Sequence, residues 1–261
     1  MVKLYLGTNL KMYKTISAVK AYLNDLQKLT SDIDREKMEI FVLPSYTTLA
    51  AAVDAVDKRY IKIGAQNMCW EETGQFTGEI SPLMLKELNV DIVMAGHSER
   101  RHVFGETDSE ENKKIFSALA HGFTALLCIG ETKEEKQYNV SDEVLRRQLK
   151  IGLYNIEKKD IKNVMIGYEP VWSIGIDGEP ASAEYAREKH AIIKDTLKEL
   201  FGDEGTRVPV LYGGSVNMDN ARQIISEKYI DGLYVGRSAW KAEKFNELIR
   251  SVKAAFDAKS N

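Results

Sequence analysis

The sequence predicts an α/β fold in which a single (β/α)8 barrel domain spans residues 1–261. Short aliphatic or β-branched runs alternate with longer amphipathic segments through the whole chain, eight of each, and no linker-like stretch divides them. Eight strands, each followed by a helix, is the count of this barrel. A doubly wound open sheet of eight units is the competing architecture, and the absence of a glycine-rich dinucleotide turn after the first strand disfavours it.

The elements follow one another in strict alternation. Each predicted strand is a short run of aliphatic or β-branched residues, and the helices show apolar residues at helical spacing, as in Leu23 and Leu26. The predicted strands are Lys3–Thr8, Glu39–Leu43, Ile61–Ala65, Asp91–Ala95, Thr124–Cys128, Asn163–Tyr168, Pro209–Tyr212 and Gly232–Val235. The predicted helices are Ile16–Leu29, Thr47–Ala55, Pro82–Leu88, Glu110–Ala120, Val140–Glu157, Ala183–Phe201, Asp219–Ser226 and Ala242–Ala258.

Composition excludes several classes of protein. With 44% hydrophobic and 29% charged residues, the chain is too apolar for a disordered protein. A net charge of −3 argues against a nucleic-acid-binding protein, which would carry a basic face. No run approaches the roughly 18 apolar residues of a membrane span, and the N-terminus lacks a signal-peptide pattern. Cys69 and Cys128 are far apart and match no metal-binding spacing, so we expect a reducing, cytoplasmic location, no metal and no membrane partner.

Functional residues of such a barrel lie where its strands end. A carboxylate, a histidine, a lysine and two glycine-containing turns occur at these positions and would converge on one rim. In chain order, the residues at the strand ends are Asn9, Lys11, Gln66, Asn67, His97, Glu99, Cys128, Glu131, Glu169, Gly213–Ser215, Gly236 and Arg237.

The segment from Gly167 to Ser182 is the most informative of these strand ends. Glu169 follows an apolar run, and Pro170 restricts it to extended backbone, which fixes the direction of its carboxylate. Two glycines and a second proline then give the composition of a stiff lid with flexible points, and such lids exclude water from a reaction. An ordinary surface loop with an exposed glutamate is the alternative interpretation.

The turns at residues 212–217 and 235–239 follow the seventh and eighth predicted strands. Glycine lets the backbone approach a ligand closely, and consecutive N–H groups at a helix start can bind an anion. In barrels, the loops after these two strands frequently bind a phosphate. Two tight turns that need glycine only for their geometry are the alternative interpretation.

His97 and Lys11 are the other candidates for chemistry. His97 opens a predicted short helix, where the partial positive charge of the helix end disfavours imidazolium, so a neutral ring could donate a hydrogen bond to a carbonyl oxygen. A histidine at a helix start is often structural, and a lysine is often a solvated surface residue. Their shared position on the predicted rim favours a functional role.

Together these segments resemble the triosephosphate isomerase family, whose fold is the TIM barrel, and the resemblance covers essentially the whole chain. The matching motifs are Thr-Asn-Leu-Lys-Met (residues 8–12), Gly-Ala-Gln-Asn (64–67), Phe-Thr-Gly-Glu-Ile-Ser (76–81), Gly-His-Ser-Glu-Arg-Arg (96–101), Cys-Ile-Gly-Glu (128–131), Tyr-Glu-Pro-Val-Trp (168–172) and Tyr-Gly-Gly-Ser-Val (212–216).

The resemblance implies a role for each matching residue. Glu169 would be the base that removes a proton beside the carbonyl, and His97 the electrophile that polarises the carbonyl and moves protons between oxygens. Lys11 would hold phosphate and offset enediolate charge, with Asn9 beside it and Glu99 in support. The residues implied in gripping the phosphate of a small sugar are Gly175, Ser215, Gly236 and Arg237.

The resemblance also implies a closing lid at residues 170–180, no cofactor, and a homodimer in which residues 75–79 insert into the partner. The chain departs from the family pattern at the mouth of the site: Leu10 replaces a tryptophan, the lid tip is longer, and Gly-Arg-Ser-Ala-Trp (236–240) replaces Gly-Gly-Ala-Ser-Leu. Intact catalytic positions favour interconversion of dihydroxyacetone phosphate and glyceraldehyde 3-phosphate. The altered mouth is similar to relatives that isomerise L-erythrulose 1-phosphate to D-erythrulose 4-phosphate, and a silent phosphosugar-binding barrel is the third alternative.

Overall fold

A computed structural model describes residues 3–175 and 178–260, and in it eight parallel strands close into a barrel. Each strand pairs with its neighbours in sequence, and β8 pairs with β1 through Tyr5 opposite Gly232 and Thr8 opposite Val235. The strands are β1 (Leu4–Asn9), β2 (Met38–Leu43), β3 (Lys62–Ala65), β4 (Ile92–Ala95), β5 (Thr124–Ile129), β6 (Val164–Tyr168), β7 (Val210–Tyr212) and β8 (Gly232–Val235). The predicted (β/α)8 fold, a TIM barrel, is therefore confirmed.

Helices alternate with these strands and surround the barrel. They are α1 (Ile16–Leu29), α2 (Tyr46–Ala55), α3 (Pro82–Glu87), α4 (Ser98–His102), α5 (Asp108–Ala120), α6 (Lys133–Gln137), α7 (Ser141–Gly152), α8 (Ala183–Phe201), α9 (Asp203–Thr206), α10 (Ala221–Ser226) and α11 (Ala242–Ser260). Three single turns of 3-10 helix occupy Ile161–Asn163, Val171–Ser173 and Arg237–Ala239. None of the described helices combines the length and the apolar run needed to cross a membrane.

The core has two layers. Side chains that point outward from the strands pack against the helices in one large buried cluster. Side chains that point inward fill the barrel, and they are Phe41, Leu43, Ile92, Met94, Leu126, Cys128, Met165, Leu211 and Tyr234. Glycine at position 7 makes room for this filling, because a Cβ there would lie 2.0 Å from the Phe41 ring. The barrel interior is thus solid beneath its rim.

Several predicted boundaries were wrong. The helix predicted over Val140–Glu157 ends at Gly152, and the chain then turns through Asn155, whose φ is +59°. The helix predicted from Asp219 begins at Ala221, because the Asn217 side chain accepts the N–H groups of Asp219 and Asn220 and holds a turn there.

Two short helices lie outside the predicted elements. Helix α6 is started by a capping box between Thr132 and Glu135. Helix α9 was not predicted.

Candidate active site

Four strand ends bring the predicted residues to one rim of the barrel. Asn9 ends β1, His97 follows β4, Glu169 directly follows β6 and Gly236 directly follows β8. All eight strands are parallel, so their carboxyl ends share this rim. The side chains of Asn9, His97 and Glu169 are buried, each no more than 5% exposed. The structure therefore places these predicted site residues in one sheltered cleft.

Glu169 and His97 face each other. Glu169 Oε1 lies 3.4 Å from His97 Nε2, and Glu169 Oε2 accepts a hydrogen bond from the backbone N–H of Ser98 at 3.1 Å. The carboxylate thus rests between the imidazole and the first turn of α4, where the partial positive charge of the helix end favours an anion. A base and a hydrogen-bond donor in this arrangement can act on adjacent carbon and oxygen atoms of one substrate.

Backbone contacts fix the position of the Glu169 backbone, from which its side chain extends. The Glu169 N–H donates to the Ile129 carbonyl at 2.7 Å, which continues the pairing of β5 with β6. Gly130 allows this approach, because a Cβ at that position would lie 1.9 Å from the Glu169 carbonyl oxygen. On the other side, a Cβ at Gly213 would lie 3.0 Å from Glu169 Cγ. Gly130 therefore makes room for the Glu169 backbone, and Gly213 makes room for its side chain.

The protonation of the His97 ring follows from its hydrogen bonds. His97 caps α4, and its Nδ1 accepts the backbone N–H of Glu99 at 3.1 Å. A ring nitrogen that accepts a hydrogen bond carries no proton, so this contact specifies a neutral imidazole whose proton lies on Nε2. That N–H points into the cleft beside Glu169, as the sequence argument for a neutral ring anticipates.

Lys11 has a backbone conformation that few residues adopt. Its φ is +49°, in the left-handed region that costs a non-glycine residue about 1–3 kcal/mol. The Lys11 N–H donates to Asn9 Oδ1 at 2.8 Å, and its carbonyl accepts from Gln66 Nε2 at 3.0 Å. Its ammonium group donates to Glu99 Oε1 at 2.7 Å. These contacts hold the ammonium group beside Glu99, whose other carboxylate oxygen lies 3.6 Å from His97 Nδ1.

The two glycine-containing turns are adjacent. Ser238 Oγ donates to the Val216 carbonyl at 2.8 Å, which joins the turn after β8 to the turn after β7. In the β7 turn, the Ser215 N–H donates to Ser173 Oγ at 3.1 Å, so the start of the predicted lid lies against this turn. Gly236 and Arg237 open the β8 turn, and the Arg237 side chain is exposed.

The first part of the predicted lid is anchored on Glu131, a fully buried carboxylate. It accepts hydrogen bonds from Trp172 Nε1 at 2.8 Å, from Tyr185 OH at 2.7 Å and from Tyr168 OH at 3.0 Å. Gly175, the last described residue before the tip, has a φ of +100°. The predicted lid tip includes Ile176 and Asp177, which lie outside the described residues.

Other strand-end candidates lie beneath or beside the cleft. Cys128 points into the barrel interior, where burial raises the pKa of its thiol and the neighbouring Glu169 carboxylate raises it further. Asn67 bonds to Lys114 and Glu106, and Gln66 supports Lys11 through its backbone. Among the described residues, neither Asn67 nor Gln66 forms a hydrogen bond with Glu169 or His97.

Sequence reasoning missed two residues beside the cleft. Trp240 donates its indole N–H to the Asn9 carbonyl at 2.9 Å. The Tyr234 side chain crosses the barrel from β8 to β4, where its hydroxyl donates to Met94 Sδ at 3.0 Å. A Cβ added at Gly213 would lie 3.5 Å from the Tyr234 ring. Period-two patterning marks Tyr234 as an inward position, but no local pattern links Trp240 to β1.

Comparison with known proteins gives consistent matches along the chain. The triosephosphate isomerase family model matches residues 4–252. An L-erythrulose-1-phosphate isomerase of Rhizobium etli is 43% identical over 98% of this chain and 95% of its own length. A triosephosphate isomerase of Dictyoglomus turgidum is 39% identical over 94% of this chain and 98% of its own length. The crystal structure of triosephosphate isomerase from Bartonella henselae superposes with a TM-score of 0.87 at 32% identity, covering 97% of this chain and 100% of that one.

Proposed function

The chain belongs to the triosephosphate isomerase family of aldose–ketose isomerases, and from this premise we propose that it interconverts dihydroxyacetone phosphate and glyceraldehyde 3-phosphate through an enediolate. One observation carries the proposal: a buried carboxylate and a neutral imidazole N–H face each other 3.4 Å apart, and an ammonium group is bonded to Glu99 on the helix that His97 caps. Isomerising an α-hydroxy carbonyl compound needs this set of a base, a hydrogen-bond donor at oxygen and a positive charge.

The proton transfers are assigned to two side chains. Glu169 removes a proton from the carbon beside the carbonyl, and His97 Nε2–H donates to the carbonyl oxygen, so that an enediolate forms. His97 then moves a proton between the two oxygens, and the protonated Glu169 returns its proton to the neighbouring carbon. Neither step changes the net composition of the substrate, and both groups end in their starting protonation states.

The remaining residues bind and shelter the substrate. Lys11 offsets the negative charge of the enediolate, and its pairing with Glu99 holds the ammonium group in place. The amide groups of Ser215, Gly236 and Arg237, with Gly175 from the lid, grip the phosphate. Binding energy from this remote phosphate supports the chemical step, and closure of residues 170–180 keeps water from the enediolate.

Substitution of the base tests the assignment. We expect Glu169→Gln to lower kcat for dihydroxyacetone phosphate by about 10²–10⁴-fold, the usual contribution of a positioned base. Inorganic phosphate should inhibit both proteins with similar affinity, since the phosphate turns are untouched. Glu188→Gln, at an exposed position of α8, is the matched control and should keep full activity. Near-normal turnover by Glu169→Gln would contradict the assignment.

A second candidate substrate is L-erythrulose 1-phosphate, which is one carbon longer and needs the same chemistry. The names of two similar relatives, at 43% and 40% identity, support it, as do the Gly-Arg-Ser-Ala-Trp turn and Leu10 at the mouth of the cleft. Measuring kcat/KM for both substrates side by side decides between them. A preference of more than about tenfold for the four-carbon sugar, roughly 1.4 kcal/mol, would replace the three-carbon assignment. Turnover of neither would indicate a silent phosphosugar-binding barrel.

We propose that the chain acts as a homodimer in the cytoplasm. Large apolar side chains are exposed near the carboxyl ends of β1, β3 and β4, among them Met12 (92%), Phe76 (43%) and Phe104 (65%). Exposed apolar surface of this kind is typical of a protein–protein contact. Both cysteines are free and buried, which suits a reducing compartment.

The size of the particle tests the dimer. Phe76→Asp should halve the mass measured by light scattering, because a charge at a buried contact is costly. Tyr154→Asp is the control, since Tyr154 is also exposed (64%) but follows α7 at the opposite end of the barrel. A Phe76→Asp protein of unchanged mass, or a wild-type monomer, would contradict the proposal.

A further inference from the structure

Trp240 touches the chain on both sides of Lys11. Its indole N–H donates to the Asn9 carbonyl at 2.9 Å, and its ring packs on the Tyr13 ring with centroids 4.4 Å apart. Lys11 lies between these two contacts in sequence, and its φ of +49° is unfavourable for a residue with a side chain. A strained backbone of this kind persists only where its surroundings over-determine it.

The other supports of this turn come from β1 itself, from β3, from α4 and from β2, where the Leu43 carbonyl accepts the Leu10 N–H at 3.0 Å. The Lys11 N–H donates to Asn9 Oδ1, Gln66 holds the Lys11 carbonyl, and Glu99 pairs with the ammonium group. The Asn9 carbonyl, by contrast, receives its hydrogen bond from Trp240. Among the described residues, this hydrogen bond and the ring contact with Tyr13 are therefore the means by which the β8 turn restrains the segment that contains Lys11.

Trp240 is itself firmly held. The Ala239 carbonyl accepts a hydrogen bond from the buried Tyr22 hydroxyl of α1 at 2.8 Å, and the Trp240 N–H donates to the Arg237 carbonyl. Ser238 ties the same turn to the β7 turn through Val216. The turn that opens with Gly236 and Arg237 thus carries a rigid indole at its far end, directed at β1.

From these contacts we propose that Trp240 is a positioning residue for Lys11. It fixes the left-handed backbone at Lys11, from which the side chain reaches Glu99. Trp240 then links the β8 turn, which is expected to bind the phosphate, to Lys11, which is expected to neutralise its charge. The inference rests on the proposed function for the role of Lys11, and its structural part, the restraint of Lys11, can be tested through phosphate binding alone.

A double-mutant cycle tests the proposal. Trp240→Phe keeps an aromatic ring and removes the N–H, so the Asn9 carbonyl loses its donor. In the wild-type background we expect kcat/KM for dihydroxyacetone phosphate to fall about five- to tenfold and the Kd of inorganic phosphate to rise by a similar factor, as for one lost hydrogen bond. In the Lys11→Ala background the same substitution should change either quantity less than twofold, because coupled residues are not additive.

The control is Trp70→Phe, since Trp70 packs on Lys113 away from the cleft and should leave both quantities unchanged. Equal effects of Trp240→Phe in the two backgrounds would overturn the proposal, as would no effect in the wild-type background at an unchanged melting temperature. If Trp240→Phe lowers the melting temperature by more than a few degrees, Trp240→His keeps a ring N–H and must recover the phosphate Kd for the proposal to stand. Absence of turnover by the wild type would refute the proposed function, and the phosphate cycle would still decide the role of Trp240.

Discussion

Glu111 is a carboxyl group that the folded protein should hold in its protonated form. It is 0% exposed, and neither of its oxygens receives a hydrogen bond from the described residues. Burial raises its pKa above the ordinary 4.5; Lys114 and Arg101 oppose this shift, and the neighbouring Glu106 reinforces it. Two neighbouring carboxyl groups repel each other when both are ionised, so one of them keeps its proton. Glu106, bonded by Arg100 and Lys114, has its pKa held below the ordinary value, so the proton belongs to Glu111.

The sign and size of the consequence follow from proton linkage. The folded state keeps the Glu111 proton, whereas the unfolded chain loses it above pH 4.5. The free energy of unfolding is therefore highest below pH 4.5 and falls as the pH rises from 4.5 towards the raised pKa of the folded state. One proton corresponds to about 1.36 kcal/mol per pH unit. Between pH 5 and 8 the loss can therefore reach about 4 kcal/mol per chain.

Glu111→Gln removes this dependence. The amide group has the shape of the protonated acid and can donate to Glu106 without titrating. We expect the variant to match the wild type near pH 5 and to be more stable at pH 8, by up to about 4 kcal/mol. Urea unfolding at pH 5, 6, 7 and 8, followed by circular dichroism at one protein concentration, measures the difference.

The matched control is Glu188→Gln, an exposed carboxylate on α8, which should follow the wild type at every pH. The reasoning fails if the stability difference between Glu111→Gln and the wild type is the same at all four pH values. It also fails if the variant is less stable throughout, which would mean that Glu111 is ionised in the folded protein.

Three further substitutions test the site. Lys11→Ala should both weaken the binding of inorganic phosphate and lower kcat for dihydroxyacetone phosphate, because one cation contributes to binding and to catalysis. If neither quantity changed, Lys11 would be a surface lysine without a role in the site. Gly213→Ala places a Cβ 3.0 Å from Glu169 Cγ, so kcat should fall at least tenfold with little change in melting temperature. An unchanged kcat would show that the Glu169 side chain can shift without loss of activity. Glu131→Gln replaces one of two acceptor oxygens with a donor, so unfolding free energy should drop by about 1–3 kcal/mol in urea titrations; a variant of equal stability would show that the hinge tolerates a lost acceptor.

The fold and the position of the cleft could be predicted because parallel strands impose a simple rule. Whatever follows a strand lies at the same end of the barrel, so Asn9, His97 and Glu169 could be grouped from sequence order alone. Glu111, by contrast, was not predicted to be buried, although it precedes Ile115 and Ala118 at helical spacing. That spacing predicts burial, but not which partner carries the proton.

Contacts between distant segments could not be predicted. Trp240 and Asn9 are separated by 231 residues, and their hydrogen bond depends on how β8 meets β1 when the barrel closes. Cys128 was placed at the rim because it ends its predicted strand, but its thiol points into the barrel interior next to Glu169. Residue order along a strand places a residue near the rim, whereas the register of the strand decides which face its side chain takes.

Closure of the barrel by β1 and β8 has a consequence for synthesis on the ribosome. A nascent chain emerges from its amino-terminal end, so Asn9 and Lys11 leave the exit tunnel long before Trp240 is translated. Until then the first strand has an open edge and its lysine lacks one of its supports. An enzyme built in this way gains its activity only with its final strand, and partial products of translation should carry no isomerase activity into the cell.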